Sequence, residues 1–270
     1  MSSTTETVPT AAGVEQLRRS WPVASPRAAV LLVHGVAEHS GRYEKVGQGL
    51  ADAGFDVLGF DLRGHGESGG RRGHIDSFDE FLDDVEELMA QRRALNVPVV
   101  LMGHSLGGLI AATYVVRGRP APDLLVLSAP ALAAEVPGWQ RLAASVLGRV
   151  TPKLAVPNDL EGDLLSRDSA VGVAYRDDPL RVTKGTAGMG KAIFDTMKAT
   201  TAAVDAINVP TYVFHGSEDR LVPPSASEPF TANPHATRVV HDGLRHECLN
   251  EPEGDDVLAA VISWIDANLG

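Results

Sequence analysis

The residue types and spacing in this sequence could form a serine nucleophile with a supporting base and acid. Ser105 lies in Gly103-His104-Ser105-Leu106-Gly107, which matches the G-x-S-x-G pattern of a serine on a strand-to-helix turn. The alternative interpretation is a glycine-rich turn that contains an incidental serine. Because a serine hydroxyl is a weak nucleophile at neutral pH, it requires a general base and a carboxylate that orients the base.

The base should be one of nine histidines, and the chain order on such turns is serine, acid, histidine. Five histidines precede Ser105 and have the wrong order. His215 lies ahead of the candidate acid, and His235 precedes the last apolar run. We predict that His246 is the base because it follows a loop between that run and the last helical segment. His241, at the end of the run, is the alternative.

Asp219 is the predicted acid. It follows the apolar run Val209–Phe214 within a short loop, whereas a turn-forming aspartate is the alternative interpretation. Open α/β sheets place their sites at the carboxyl ends of strands. The candidate serine, acid and base each follow an apolar run, and their order therefore predicts a hydrolase.

An oxyanion formed by attack of Ser105 would need two backbone N–H donors. The residue after the nucleophile, Leu106, should supply one, and the loop His34–Ala37 after the first apolar run should supply the other. We expect the His34 side chain to form hydrogen bonds within this loop and to take no part in the reaction.

Six short apolar runs predict the strands that position these residues, and segments with helical periodicity alternate with them. This alternation predicts an α/β protein with a mostly parallel sheet and helices on both of its faces. The pattern is interrupted over residues 131–203, which we predict to be an inserted helical cap or lid without a strand. Residues 1–130 and 204–270 would form the core, and we expect about the first 20 residues to be mobile. The runs are Ala28–Val33, Phe55–Phe60, Val97–Met102, Leu124–Leu127, Val209–Phe214 and Thr237–Val240, and the principal helices cover 78–93, 106–117 and 255–269.

Composition narrows the possible functions. The 270 residues contain 24 basic and 35 acidic side chains, a formal net charge of −11, which disfavours nucleic-acid binding. A single cysteine, Cys248, permits no internal disulfide. The sequence has neither a signal-peptide pattern nor the roughly 18–20 apolar residues of a membrane span, so we expect a cytoplasmic protein.

Three motifs could suggest a cofactor or a metal, but each is incomplete. Gly64–Gly69 matches G-x-G-x-x-G without a following helical pattern, and Gly185–Lys191 resembles a phosphate-binding loop but is followed by Ala192. We expect the second motif to be a loop of the cap. His246-Glu247 lacks the second histidine of a zinc motif. The sequence therefore predicts no cofactor and no metal.

The cap contains a locally basic stretch with apolar residues at near-helical spacing. An amphipathic helix there could contact an anionic membrane or micelle surface peripherally, or it could simply pack over the core. The apolar residues are Trp139, Leu142, Val146, Leu147 and Val150, and Arg141, Arg149 and Lys153 outnumber Glu135 around them.

Several longer segments resemble the monoacylglycerol lipase group of the α/β-hydrolases over roughly residues 30–250. The most specific is His34–Tyr43, which reads HGVAEHSGRY, and the others are Asp61–Ser68, Gly103–Gly108, Tyr175–Leu180 and His215–Pro223. The resemblance implies an α/β-hydrolase fold and a triad of Ser105, Asp219 and His246. It also implies that Val36 and Leu106 donate to the oxyanion.

The same resemblance implies a glycerol pocket near Glu38, Arg42, His104 and Tyr175, although Glu38 and Arg42 could equally form a structural ion pair. The expected reaction is hydrolysis of a small lipid ester, a monoacylglycerol, to glycerol and a fatty acid through an acyl-enzyme on Ser105. Alternatives on the same fold are a carboxylesterase, a thioesterase or a lysophospholipase, and a further one is a binding protein without activity.

Overall fold

A computed structural model describes residues 3–134, 146–158 and 160–269. Its central feature is an eight-stranded sheet in the order β1-β2-β4-β3-β5-β6-β9-β10. The six strands from β4 to β10 in this order are parallel, whereas β1 and β2 pair antiparallel. The strands are β1 Thr4–Pro9, β2 Glu15–Trp21, β3 Ala28–Val33, β4 Phe55–Phe60, β5 Val99–His104, β6 Leu124–Ser128, β9 Thr211–Gly216 and β10 Ala236–His241.

Helices cover both faces of the sheet, as the alternating pattern predicts. Apolar side chains of α2, α3 and α5 pack on one face, and those of α1 and α6 pack on the other. The helices are α1 Glu44–Asp52, α2 Asp79–Arg93, α3 Leu106–Val116, α4 Ser169–Asp177, α5 Ala187–Thr201 and α6 Gly254–Asn268. Short 3-10 turns occur at Ser40–Tyr43, Gly162–Leu164, Val204–Ala206, Pro224–Ala232 and Cys248–Asn250.

The central strands form because their residues are apolar on both sides of the chain. All six residues of β3 are buried, and Val30 lies opposite Val57 on one side and Val100 on the other. Burial between two helical layers removes every side chain of the strand from water, which favours a continuous apolar run. This arrangement brings the carboxyl ends of β3, β5, β6 and β9 to one edge of the sheet.

The expectation of a mobile amino-terminal stretch is wrong. Residues 4–9 and 15–21 form β1 and β2, and β2 pairs antiparallel with β4. β2 is rich in polar residues. Its Arg18 side chain is buried and donates hydrogen bonds to Gln16, Glu87 and Gln91. Polar side chains of this second strand of the sheet are therefore hydrogen-bonded despite their burial.

The inserted segment between β6 and β9 also differs from its prediction. It contains two short antiparallel strands, β7 Ala155–Pro157 and β8 Lys184–Thr186, where no strand was expected. Gly185–Lys191, expected as a loop, forms the end of β8 and the start of α5. The Thr186 side chain accepts a hydrogen bond from Met189 N–H and so caps α5.

Part of the predicted amphipathic helix lies outside the described residues, namely Glu135, Trp139, Arg141 and Leu142. Residues 146–150, which carry the rest of its apolar positions, are helical. In the ranges that the structure describes, no helix is long and apolar enough to cross a membrane.

Candidate active site

Ser105 occupies the turn between β5 and α3. Its backbone has φ 52° and ψ −114°, which is an uncommon conformation for a residue with a side chain. Such a turn presents the serine side chain at the carboxyl edge of the sheet, ahead of the α3 N-terminus. The helix dipole and the free N–H groups of that terminus favour negative charge there.

Three glycines make this tight turn possible. A methyl group on Gly103 would lie 2.2 Å from the carbonyl oxygen of Gly107, and one on Gly107 would lie 2.1 Å from that of Val33. At Gly108 it would lie 2.9 Å from the Cα of Pro130. These distances exclude any side chain, so the G-x-S-x-G pattern corresponds to close packing of α3 against the strands.

His246 and Asp219 are hydrogen-bonded to each other. His246 Nδ1 lies 2.7 Å from Asp219 Oδ2, and both side chains are almost completely buried. The other carboxylate oxygen of Asp219 accepts hydrogen bonds from the backbone N–H groups of Leu221 and Val222, at 2.9 and 3.0 Å. The carboxylate is thus fixed on both oxygens and directed at the imidazole. His241 packs edge-on against Phe214 instead.

Each of these two groups shifts the pKa of the other. Burial alone would raise the pKa of Asp219, but the charge of His246 and the hydrogen bonds to the carboxylate outweigh it and lower that pKa. Burial alone would lower the pKa of His246, but the charge of Asp219 and the hydrogen bond that His246 donates to it raise that pKa. Asp219 is therefore ionised near neutral pH and stabilises a protonated His246.

The loop after β3 lies directly against Ser105. A methyl group on Gly35 would lie 3.2 Å from Ser105 Cβ. Gly35 N–H donates to Glu38 Oε1, which also accepts from the Tyr43 hydroxyl at 2.7 Å. Val36 follows Gly35 in this loop, and Leu106 is the first residue of α3, where the N–H has no partner within the helix.

Arg42 joins Glu38 to Glu247. Its Nη1 lies 2.6 Å from Glu38 Oε2, and its two terminal nitrogens hold both oxygens of Glu247 at 2.6 and 2.8 Å. Burial would raise the pKa of Glu38, but Arg42 and then the nearby histidines and Tyr43 lower it to about 2. Glu38 and Glu247 thus both pair with a buried cation. For Glu38 and Arg42 this is the structural ion pair that the sequence analysis gave as the alternative to a glycerol-binding role.

His104 and Tyr175 complete the predicted site. The ring of His104 lies 4.7 Å from the ring of His246, and its Nδ1 lies 3.0 Å from Ser128 Oγ. Burial and then the charge of His246 lower the pKa of His104 to about 4, so this imidazole is neutral near pH 7. The guanidinium of Arg42 lies 5.2 Å from the centre of the Tyr175 ring.

One small pocket is lined by most of the predicted site residues. It brings Ser105, His246, Val36, Glu38, Arg42, His104 and Tyr175 together, whereas Asp219 lies behind His246. Gly35, Leu160, Leu165 and Glu247 line it as well. Apolar and polar walls thus meet at the serine, as a site for an amphipathic ester requires.

Other sequence expectations concern groups outside this pocket. His34 forms hydrogen bonds near its own loop, as predicted, with Nδ1 2.7 Å from Gly35 O and Nε2 2.9 Å from Leu62 N. Glu247 was considered only in an incomplete zinc motif and Glu251 was not considered, yet both are buried next to the predicted base. Their proximity to His246 in the chain was the only available signal. Among the residues that the structure describes, no group of three His, Cys, Asp or Glu side chains is arranged to hold a metal ion.

Known proteins resemble this chain over nearly its whole length. A family model described as "Serine aminopeptidase, S33" matches residues 24–253. The chain is 38% identical over 266 residues to a monoacylglycerol lipase of Mycolicibacterium smegmatis, which covers 95% of each chain. It is 31% identical to phospholipase YtpA of Bacillus subtilis, over 92% of this chain and 98% of that one. A crystal structure of Paleococcus ferrophilus monoacylglycerol lipase superposes with a TM-score of 0.87 at 33% identity, covering 94% of this chain and 99% of the other.

The mostly parallel sheet, the helices on both faces and the serine on a strand-to-helix turn define an α/β-hydrolase fold. The chain belongs to this superfamily of serine hydrolases, in the family that the matching model describes and in the group that includes the monoacylglycerol lipases. The fold class and the family that the sequence predicts are therefore confirmed.

Proposed function

We propose that this protein is a serine carboxylester hydrolase that cleaves monoacylglycerol to glycerol and a free fatty acid. The observation that carries the proposal is the 2.7 Å hydrogen bond between His246 and Asp219, with His246 and Ser105 lining one pocket. A ligand-binding protein without activity would not require this pair behind a serine. Similarity to a monoacylglycerol lipase at 38% identity supports the substrate class.

In the proposed mechanism Ser105 attacks the ester carbonyl while neutral His246 accepts the hydroxyl proton on Nε2. Asp219 stabilises the imidazolium through Nδ1. The N–H groups of Leu106 and Val36 stabilise the tetrahedral oxyanion. His246 then returns the proton to the departing glycerol, and water, activated by the same histidine, cleaves the acyl-enzyme to release the fatty acid.

We assign the polar end of the pocket to the glycerol group. His104 and Tyr175 face the pocket beside the base, whereas Glu38 and Arg42 are already paired with each other and with neighbouring protein groups. We therefore infer that Glu38 and Arg42 act mainly by ordering the loop that carries Val36. Contacts with glycerol hydroxyls would come from His104 and Tyr175.

The experiment that tests the function is fatty-acid release from a medium-chain monoacylglycerol by the wild type and by Ser105→Ala. We expect turnover to fall by at least ~10³-fold in this variant, because the nucleophile is lost. Ser77→Ala, at an exposed serine just before α2, is the matched control and should retain full activity. Equal rates for wild type and Ser105→Ala would remove Ser105 from the mechanism.

A lysophospholipase is the second candidate, because the chain is 31% identical to a protein named as a phospholipase. The same assay with lysophosphatidylcholine distinguishes the two. Faster release from the phospholipid than from the monoacylglycerol, abolished by Ser105→Ala, would favour this candidate.

We further propose that residues 131–203 are a cap whose surface contacts lipid aggregates. Within it, residues 146–156 carry five exposed apolar side chains and contain Arg149 and Lys153 but no acidic residue. Exposed apolar groups beside cations are typical of peripheral contact with anionic lipid. The five, with their exposed fractions, are Val146 50%, Leu147 36%, Val150 74%, Leu154 46% and Val156 39%.

Co-sedimentation with anionic vesicles at low salt tests this contact. Val150→Asp should reduce the bound fraction, because it places a negative charge at the most exposed of these apolar positions. Leu95→Asp is the control, since Leu95 is also exposed (41%) but follows α2 outside the cap. Equal binding of all three proteins, or binding of none, would contradict the proposed contact.

A further inference from the structure

Two stretches that are far apart in the sequence meet beside His246. We call residues 242–251, between β10 and α6, the base loop, and residues 163–167 of the inserted segment the anchor segment. The N–H of Glu247 donates to the carbonyl oxygen of Leu165 over 2.8 Å. The peptide that follows His246 is therefore held by the anchor segment.

The peptide before His246 is held in a corresponding way by a buried carboxylate. Glu251, whose side chain has no exposed surface, accepts a hydrogen bond on Oε1 from the N–H of Arg245 at 2.7 Å. Its Oε2 accepts from the N–H and Nε of Arg167 at 3.0 and 3.1 Å, and from Ser166 Oγ at 3.3 Å. One carboxylate thus joins the base loop to the anchor segment.

The side chain of Arg245 strengthens this connection. Its Nη1 donates to the carbonyl oxygens of Asp163 and Ser166, at 2.6 and 3.0 Å. The anchor segment therefore receives hydrogen bonds from the base loop on both sides of His246. A buried carboxylate with three N–H donors has a single favourable orientation, because any other leaves a buried polar group unpaired.

We propose that Glu251 is a positioning residue for the reaction, and that it fixes the imidazole of His246 by tying the base loop to the inserted segment. The inference rests on the proposed function, in which His246 is the general base. A base must be held close to its productive geometry, and displacement by about 1 Å can cost ~10²-fold in rate. The inserted segment therefore contributes to the chemical step and not only to substrate access.

Two substitutions of Glu251 separate the effect of its charge from the effect of its side-chain length. Glu251→Asp keeps the carboxylate but shortens the side chain, so it cannot contact both stretches. Glu251→Gln keeps the length but replaces one acceptor oxygen with a donor. Glu253→Gln is the matched control, because Glu253 pairs with Arg167 from the surface, where its side chain is 49% exposed.

Three measurements distinguish positioning from a general effect on stability. Steady-state kinetics separate kcat from KM, and the rate of labelling of Ser105 by a fluorophosphonate reports activation of the nucleophile without any ester substrate. The far-downfield proton NMR resonance of the hydrogen-bonded His246 Nδ1–H reports the bond to Asp219 directly.

We expect kcat to fall by ~10²-fold in both Glu251 variants with KM within about 2-fold of wild type. Labelling should slow in parallel, and the resonance should move or disappear, while Glu253→Gln matches wild type. An unchanged resonance with kcat within about 3-fold of wild type would overturn the proposal.

The proposal remains testable if the Glu251 variants do not fold. Arg167→Met removes one donor from Oε2 at a side chain that is 34% exposed, and it should shift the resonance and slow labelling by about 5-fold. No change in either quantity would refute the link. If the wild type hydrolyses no monoacylglycerol, the proposed function fails, whereas labelling and the resonance still decide the role of Glu251.

Discussion

The substitution Glu38→Gln tests the buried ion pair that holds the loop beside Ser105. The carboxylate of Glu38 is 4% exposed and accepts from Gly35, Arg42 and Tyr43. Its pKa lies at about 2 against an ordinary value of 4.5. Since each tenfold change in proton affinity corresponds to about 1.4 kcal/mol, the ionised group stabilises the fold by about 3 kcal/mol.

The sign of this contribution sets its pH dependence. Because folding lowers the pKa of Glu38, the stabilisation is fully present above pH 4.5 and is lost as the pH falls toward about 2. Glu38→Gln should therefore reduce the free energy of unfolding by about 3 kcal/mol at neutral pH, and by less at about pH 3.5. Glutamine cannot neutralise Arg42, which keeps only its pairing with Glu247.

Urea denaturation of wild type and Glu38→Gln at these two pH values measures the difference. Glu6→Gln is the control, because Glu6 is an exposed carboxylate on β1. A loss below about 1 kcal/mol at neutral pH, or a loss that does not change with pH, would refute the reasoning.

Three further predictions follow from the site. Burial would lower the pKa of His246, but Asp219 raises it above 6.5, so hydrolysis should decline as the pH falls through that raised value. Initial rates from about pH 5 to about pH 9 test this, and a flat profile would contradict the role of His246 as base. Gly107→Ala should cost ~3 kcal/mol or more in urea denaturation, because its methyl group would lie 2.1 Å from Val33 O. Gly190→Ala, with nothing within 4 Å, should cost nothing, and equal effects would argue against the close packing. Burial raises the pKa of Cys248 to about 12, so iodoacetamide should modify it only after unfolding, and mass spectrometry would detect any reaction with the native protein.

The sequence predicts the central strands well but places four of their ends too early, by two residues in β5 and β9 and by one residue in β6 and β10. The predicted runs Val97–Met102 and Val209–Phe214 stop before polar residues, whereas β5 continues through His104 and β9 through Gly216. These last residues pair with neighbouring strands like the apolar ones before them. The apolar pattern ends there because the candidate site begins at these residues, although the strands themselves continue.

Elements that depend on distant partners could not be predicted from local pattern. The polar strand β2 is stable because Arg18 meets Glu87 of α2, 69 residues further along the chain. Glu247 pairs with Arg42, which lies 205 residues earlier in the sequence, and Glu251 pairs with Arg167, which lies 84 residues earlier. The G-x-S-x-G pattern is recognisable from its local spacing by contrast, although only Gly103 is required by the turn itself, whereas Gly107 is required by its close approach to Val33 of β3.

The backbone of Ser105 has a consequence for any attempt to make this protein more robust. A residue with a side chain at φ 52° carries roughly 1–3 kcal/mol of conformational strain, which glycine would relieve. A search for thermostable variants that did not also screen for activity would therefore tend to replace the hydroxyl of the proposed nucleophile. Under the proposed mechanism, stability and turnover are in opposition at this position, and a screen must select for both.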